Sequence, residues 1–217
     1  MEHIQVEVVD QTGVITLNAP NRRNALSTAM RAELLVALDT LGSDASIGAI
    51  VIRGAGNNFC SGGDISEMAP VDQAADPAYV TRRLHALQHV VRRIAAGPKP
   101  VIASVEGVAF GGGFSLALAC DHVVAQRNAR FCASFGRIGL LADCGLMWTL
   151  TQRVGLGTAR DILFTARVIE AAEGHRLGIP GAHVQVEVSS LQPQLMRHRQ
   201  QRGDADAAGD EHVPGRT

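Results

Sequence analysis

Two short runs, Ile47 to Ile52 and Val101 to Val105, constrain this chain more than any other feature. Both are rich in β-branched and small apolar residues, and neither alternates with polar ones. A strand that is apolar at almost every position is buried on both faces, and parallel sheets covered by helices provide that environment. Helical stripes fall before and between these runs. Ser27 offers an N-cap, and Met30, Leu34, Leu35 and Leu38 then line one helix face, with Gly42 as the expected stop. Val80, Leu84, Leu87, Val91 and Ile94 form a second stripe, closed by Gly97-Pro98-Lys99-Pro100. A hairpin opens the chain: Ile4 to Val9, the turn Gln11-Thr12-Gly13, and Val14 to Leu17. Further strands are expected at His122 to Ala125 and Ala129 to Cys132. Further helices are expected from the Gly111-Gly112-Gly113 triplet through Cys120, at Leu146 to Val154 and at Thr158 to Thr165. Strands alternating with helices predict an α/β fold with a largely parallel sheet.

The 217 residues suit one domain of this class, and 46% hydrophobic content is enough for a sizeable core. A formal charge of −1 argues against a general affinity for nucleic acid or anionic membrane. The N-terminus MEHIQVEVVD lacks the pattern of a signal peptide, and no apolar run approaches the about 18 residues of a membrane helix. Cys60, Cys120, Cys132 and Cys144 form no CxxC pair. Structural zinc is not expected, and reduced thiols in the cytoplasm are. The polar stretch Ala69 to Pro77 is expected to be mobile. From Gly174 to Thr217 apolar periodicity fades, so a core over 1–173 and an atypical, partly disordered tail over 174–217 are expected, the tail being divergent or truncated.

Two glycine loops carry the functional signal. Asn58 to Ile65 (NFCSGGDI) follows the first buried strand, and Gly107 to Gly113 (GVAFGGG) follows the second. Each brings bare backbone N–H groups to a strand end, and the second also opens a helix, with the positive end of its dipole outward. A pair of such donors can hold a thioester carbonyl and stabilise it as its oxygen gains negative charge. Either loop alone is compatible with an ordinary turn.

Together, and in order with Leu17-Asn18-Ala19-Pro20, Asn24-Ala25-Leu26, Val105 to Leu116 and Gly139 to Gly145, the loops resemble the crotonase superfamily, the enoyl-CoA hydratase/isomerase family. The resemblance covers about residues 4 to 179. It implies a crotonase-like fold of repeated ββα units, a largely parallel sheet surrounded by helices. It implies an acyl-CoA substrate and no cofactor beyond the coenzyme A of that substrate. It also implies a homotrimer or a dimer of trimers. The oxyanion donors it implies are the N–H groups of Gly63 and Gly112. Ala25, Ser61, Asp64 and Ile65 are expected around the adenine, and Arg22 or Arg23 near the CoA phosphates.

Hydratases of this family carry two glutamates, at positions that hold Ser115 and Phe135 here. Neither residue can transfer the proton, so ordinary hydration is expected to be very slow. The segment Gly139-Leu140-Leu141-Ala142-Asp143-Cys144-Gly145 is similar to the Gly-Leu-x-Pro-Asp-x-Gly segment of the 1,2-epoxyphenylacetyl-CoA isomerase-like members, with Ala142 for the usual Pro. Asp143 is therefore the candidate acid/base of an isomerase; as an alternative it caps the helix that follows. A hydratase of fatty-acid β-oxidation and a catalytically weak acyl-CoA-binding protein stay open as other readings. Gly54-Ala55-Gly56 lacks the third glycine of a dinucleotide fingerprint. His85 and His89 are spaced like zinc ligands but flank an apolar stripe, so no metal is expected.

Overall fold

The computed structural model describes residues 1–67 and 77–183, with no account of the side chains of 77–84 and 182–183. Strands β1 (Ile4–Val9) and β2 (Thr12–Leu17) form the expected antiparallel hairpin, Ile4 opposite Leu17 and Val9 opposite Thr12. From β2 the sheet continues in parallel through β3 (Ala49–Gly54), β4 (Val101–Val105) and β6 (His122–Ala125) to β9 (Ala182–His183), in the order β1-β2-β3-β4-β6-β9. A smaller sheet holds β5 (Val108–Phe110), β7 (Arg130–Cys132) and β8 (Ile169–Glu170) in the order β5-β7-β8.

A repeating unit explains both sheets. β4, β5 and helix α3 (Gly112–Ala119) form one ββα unit, and β6, β7 and α4 (Leu146–Val154) form another. The first strand of each unit joins the large sheet and the second joins the small one. β3 and α2 (Pro77–Ala95) form a third such unit, whose second strand shrinks to a single bridge between Cys60 and Ala109. The central strands are apolar on both faces because both faces are covered: Ile50, Val51, Ile52, Val101, Ile102, Ala103 and Val105 are all buried.

Helix α1 (Thr28–Ser43) begins where its sequence signal lies, with the Ser27 hydroxyl accepting from the Met30 N–H at 3.1 Å. Gly42 does not stop it; it sits inside the last turn, facing Pro98. In α2, Leu87, Val90 and Ile94 are buried and Val91 is partly buried, at helical spacing. The run expected from Ile47 starts two residues later and extends to Gly54, which pairs with Leu17. The Ile47 N–H instead closes a turn onto the Asp44 carbonyl.

Helices α5 (Leu156–Thr165) and α6 (Ala171–Arg176) complete the described helices. The core boundary expected at residue 173 falls inside α6. Ile179 is fully buried, and β9 adds to the large sheet beside β6. The remainder of the expected tail, 184–217, and the polar stretch expected at 69–77, apart from Pro77 at the start of α2, lie outside the described residues. Among the described residues no helix is long and apolar enough to cross a membrane.

Candidate active site

The two glycine loops are laced together by backbone hydrogen bonds. Phe59 donates to the Glu106 carbonyl at 2.7 Å, Cys60 donates to Val108 at 2.9 Å, and Phe110 donates back to Cys60 at 2.9 Å. Residues 108–110, expected as loop, thus form a true strand, because Cys60 on one side and β7 on the other satisfy their backbone. Past Cys60 the first loop turns through Gly62 at φ +104°, and a Cβ there would lie 2.8 Å from the Phe110 carbonyl oxygen. Only glycine allows that approach. On the other side the loop is tied to the segment before α1, where Leu26 donates to the Gly62 carbonyl at 2.7 Å.

This lacing sets Gly63 and Gly112 side by side. A Cβ built on Gly112 would lie 3.5 Å from the Gly63 nitrogen, and one built on Gly62 would lie 3.2 Å from the Gly112 nitrogen. Gly112 is the first residue of α3, so its N–H has no partner within the helix. Among the described residues neither the Gly63 nor the Gly112 N–H meets a protein acceptor. Two adjacent backbone donors, one of them at a helix N-terminus, can receive one oxygen that gains negative charge. A Cβ on Gly112 would also touch the side chains of Leu87 at 3.4 Å and Leu26 at 3.7 Å.

The expected coenzyme contacts cluster on one side. Arg22, Ala25 and Asp64 line a groove of about 410 Å³ together with Asn18, Pro20 and Ser27. Ser61 is fastened beneath it, its hydroxyl donating to the Arg22 carbonyl at 3.2 Å and its N–H to the Arg23 carbonyl at 2.9 Å. Ile65 starts the short 3-10 helix Ile65–Glu67 and is 67% exposed. The Asp64 carboxylate is buried and accepts from Ser66 at 2.6 Å and from Arg22 at 2.7 Å. The Ser66 hydroxyl, then the Arg22 guanidinium, hold its carboxyl below the usual range against the opposing effect of burial. Arg23 and Asn24 both adopt positive φ, and buried Asn24 holds the turn with three side-chain hydrogen bonds, to Ala19, Ala55 and Asn58.

Asp143 lies on the loop that leads into α4. The N-cap position of that helix is Gly145, at φ +79° and with no side-chain cap of its own, two residues past Asp143. The loop is fastened to α3 from beneath: the Ser115 hydroxyl lies 3.2 Å from the Asp143 carbonyl oxygen. Cys144 is buried beside Asp143, and burial, then the Asp143 carboxylate, push its thiol well up. All four cysteines are free and buried, and burial pushes Cys60 up to about 12. Burial shields all four thiols in the folded protein. His85 and His89 are exposed on α2, and no metal-binding group forms among the described residues.

A family model described as enoyl-CoA hydratase/isomerase matches residues 8–203. The chain is 35% identical to the 1,2-epoxyphenylacetyl-CoA isomerase of Escherichia coli K12, over 91% of this chain and 76% of that one. The solved structure of an enoyl-CoA hydratase from Polaromonas sp. JS666 matches with a TM-score of 0.79 at 34% identity, covering 91% of this chain and 76% of its own. That of an enoyl-CoA hydratase from Mycobacterium smegmatis matches at 0.81 and 30%, covering 90% and 76%. The chain belongs to the enoyl-CoA hydratase/isomerase family. Its fold is the crotonase-like fold.

Within this family fold, the positions read as the missing hydratase glutamates are not open sites awaiting another acid. Ser115 is fully buried in α3, and Phe135, in the 3-10 helix Ser134–Ile138, is packed into the core. One buried polar contact escaped the sequence pattern. Arg31, on the apolar side of α1, is only 5% exposed, donates to the Ser27 carbonyl and the Thr28 hydroxyl, and lies 3.7 Å from Glu67. Glu67 also accepts from the N–H and hydroxyl of Thr28, at 2.8 and 2.9 Å. The segment that follows Gly63 and Asp64 is thereby fastened to the first turn of α1. Arginine at a helical spacing from Leu34 and Leu38 looks like a solvated charge in sequence; only its partners show otherwise.

Proposed function

We propose that this chain is an isomerase of enoyl-CoA thioesters. The thioester carbonyl accepts from the Gly63 and Gly112 N–H groups. Asp143 removes a proton from the α-carbon of a 3-enoyl chain, and the electron pair spreads through the thioester into the adjacent double bond. The resulting dienolate carries its charge on the oxygen between the two donors, where a fixed pair of N–H groups favours it most. The same carboxyl then returns the proton to the γ-carbon, which completes migration of the double bond from C3 to C2 with no net gain or loss of atoms. Neither a metal nor a resident cofactor is required. The adenosine end lies toward Ala25, Ser61, Asp64 and Ile65, with Arg22 beside the phosphates.

The observation that carries this reading is the loop of Asp143 fastened onto the helix that bears Gly112, while Ser115 and Phe135 occupy the hydratase positions. The 35% identical relative from Escherichia coli, itself named an acyl-CoA isomerase, supports it. The four free thiols support a reducing compartment such as the cytoplasm. A run of exposed apolar side chains, Ile138, Leu141, Met147, Trp148 and Phe164, supports burial of that stretch against further copies of this chain in a trimer or a dimer of trimers.

The test is a comparison of two reactions on the same preparation. Migration of the double bond in 3-hexenoyl-CoA should proceed within the ordinary enzyme range of about 1–10³ per second, and hydration of crotonyl-CoA should be far slower. Fast hydration with no isomerisation would sink the proposal in favour of a hydratase. Tight binding with neither reaction would sink it in favour of a binding protein.

A further inference from the structure

We propose that Ser115 is a positioning residue that locks the Asp143 loop to helix α3 and so sets the distance between the carboxylate and the oxyanion donors; its effect on turnover rests on the isomerase reading above. Ser115 follows Gly112 by three residues on α3, about 4.5 Å along the axis. One rigid helix therefore carries both a carbonyl-binding N–H and the hydroxyl that reaches the carboxylate loop. Ser115 has no exposed surface. Its hydroxyl lies 3.2 Å from the Asp143 carbonyl oxygen and 3.4 Å from that of Gly111, the N-cap of its own helix.

Three backbone hydrogen bonds also hold the loop. Leu140 and Gly139 donate to carbonyls of the preceding 3-10 helix, and Leu146 donates to the Asp143 carbonyl from the start of α4. All three are local in sequence. Gly139 and Gly145 have open space where a Cβ would stand, so packing does not hold the loop at those two points. Ser115 reaches it across 28 residues, and the buried Cys144 side chain anchors the next position. A polar tether fits this place, because Asp143 must sit at a fixed distance from the carbonyl site and a 1 Å displacement costs about 10²-fold in rate.

Ser115→Ala removes one oxygen and keeps the rest of the side chain. In 3-hexenoyl-CoA isomerisation the variant should lose about 10-fold in kcat with KM within two-fold of the original, because Ser115 does not touch the substrate. Cys144 supplies a readout independent of activity. Freed from the tether, the loop should open more often, and alkylation of Cys144 by iodoacetamide, mapped by peptide mass, should speed up at least 10-fold. Cys60, Cys120 and Cys132, elsewhere in the core, should stay protected, which also reports that the fold is intact. Unchanged Cys144 labelling overturns the lock whatever happens to the rate. Faster labelling of Cys144 alone, in a protein whose unmodified form isomerises nothing, upholds the lock and overturns the isomerase reading. Faster labelling with unchanged kcat in an active enzyme overturns the claim that the lock sets the catalytic distance.

Discussion

Gly112→Ala separates the chemistry of the glycine pair from its folding. Gly112 has no positive φ, and a methyl there would meet Leu87 at 3.4 Å, the Gly63 nitrogen at 3.5 Å and Leu26 at 3.7 Å, all ordinary contacts. Alanine at this first helical position does not disfavour the helix relative to glycine. The variant should therefore fold, with a melting temperature equal to or above the original. Its methyl stands on contested ground. An oxygen that accepts from both N–H groups lies about 2.9 Å from each nitrogen. The methyl stands 3.5 Å from the first nitrogen and one Cα away from the second, so the two compete for the same space. Loss of one oxyanion donor costs about 10²–10³ in kcat, or about 2.7–4 kcal/mol of transition-state stabilisation. The assay pairs kcat for 3-hexenoyl-CoA with thermal melting by circular dichroism. Gly62→Ala should do the reverse: at φ +104° and 2.8 Å from a backbone oxygen, it should destabilise the fold before any question of turnover arises. A folded Gly112→Ala enzyme with full kcat would refute the assignment of the pair.

Three further outcomes follow from the surrounding contacts. Because Asp64 is held below its ordinary carboxyl range, its contribution to stability is complete above the unfolded value near pH 3.9 and is lost as pH falls through the lower folded value. Urea melts should show Asp64→Asn destabilising at pH 7 and progressively less so below about pH 4; a pH-independent difference would contradict this. Glu67→Ala removes the acceptor of the Thr28 N–H and hydroxyl and the ion-pair partner of buried Arg31, and should cost about 1–3 kcal/mol in urea denaturation. Light scattering should give the mass of a trimer or hexamer at micromolar concentration, and a stable monomer would contradict the proposed role of the apolar stretch from Ile138 to Phe164.

The parts of the fold legible in sequence are those whose signal is local. The Ser27 cap, the hairpin, and the strands Val101–Val105 and His122–Ala125 declare themselves through residue type and spacing. What was hidden depends on partners far along the chain. Val108–Phe110 is too short to alternate, and becomes a strand only because Cys60 and β7 flank it. β8 and β9 have two residues each, below the length at which a period exists. The same holds for the site. The glycine loops were visible because glycine carries its meaning in a local backbone shape. Position 115 read only as a lost glutamate, since a serine gives no sign of which carbonyl it will reach 28 residues away. Asp143 before an apolar helix reads in sequence as a catalytic carboxylate or as a cap, and the N-cap position itself falls two residues later, at Gly145.

Asp143→Asn tests the central claim most directly. The substitution keeps the size of the side chain and removes its ability to take a proton. Affinity for acetoacetyl-CoA, measured by calorimetry, should stay within about two-fold, because the Gly63 and Gly112 donors are untouched. Migration of the double bond in 3-hexenoyl-CoA should fall by about 10²–10⁴-fold, the usual loss on removing a general acid or base. Solvent deuterium incorporation at the α-carbon should fall with it. A folded Asp143→Asn protein that isomerises at the original rate would contradict the account, and the base would have to be another group.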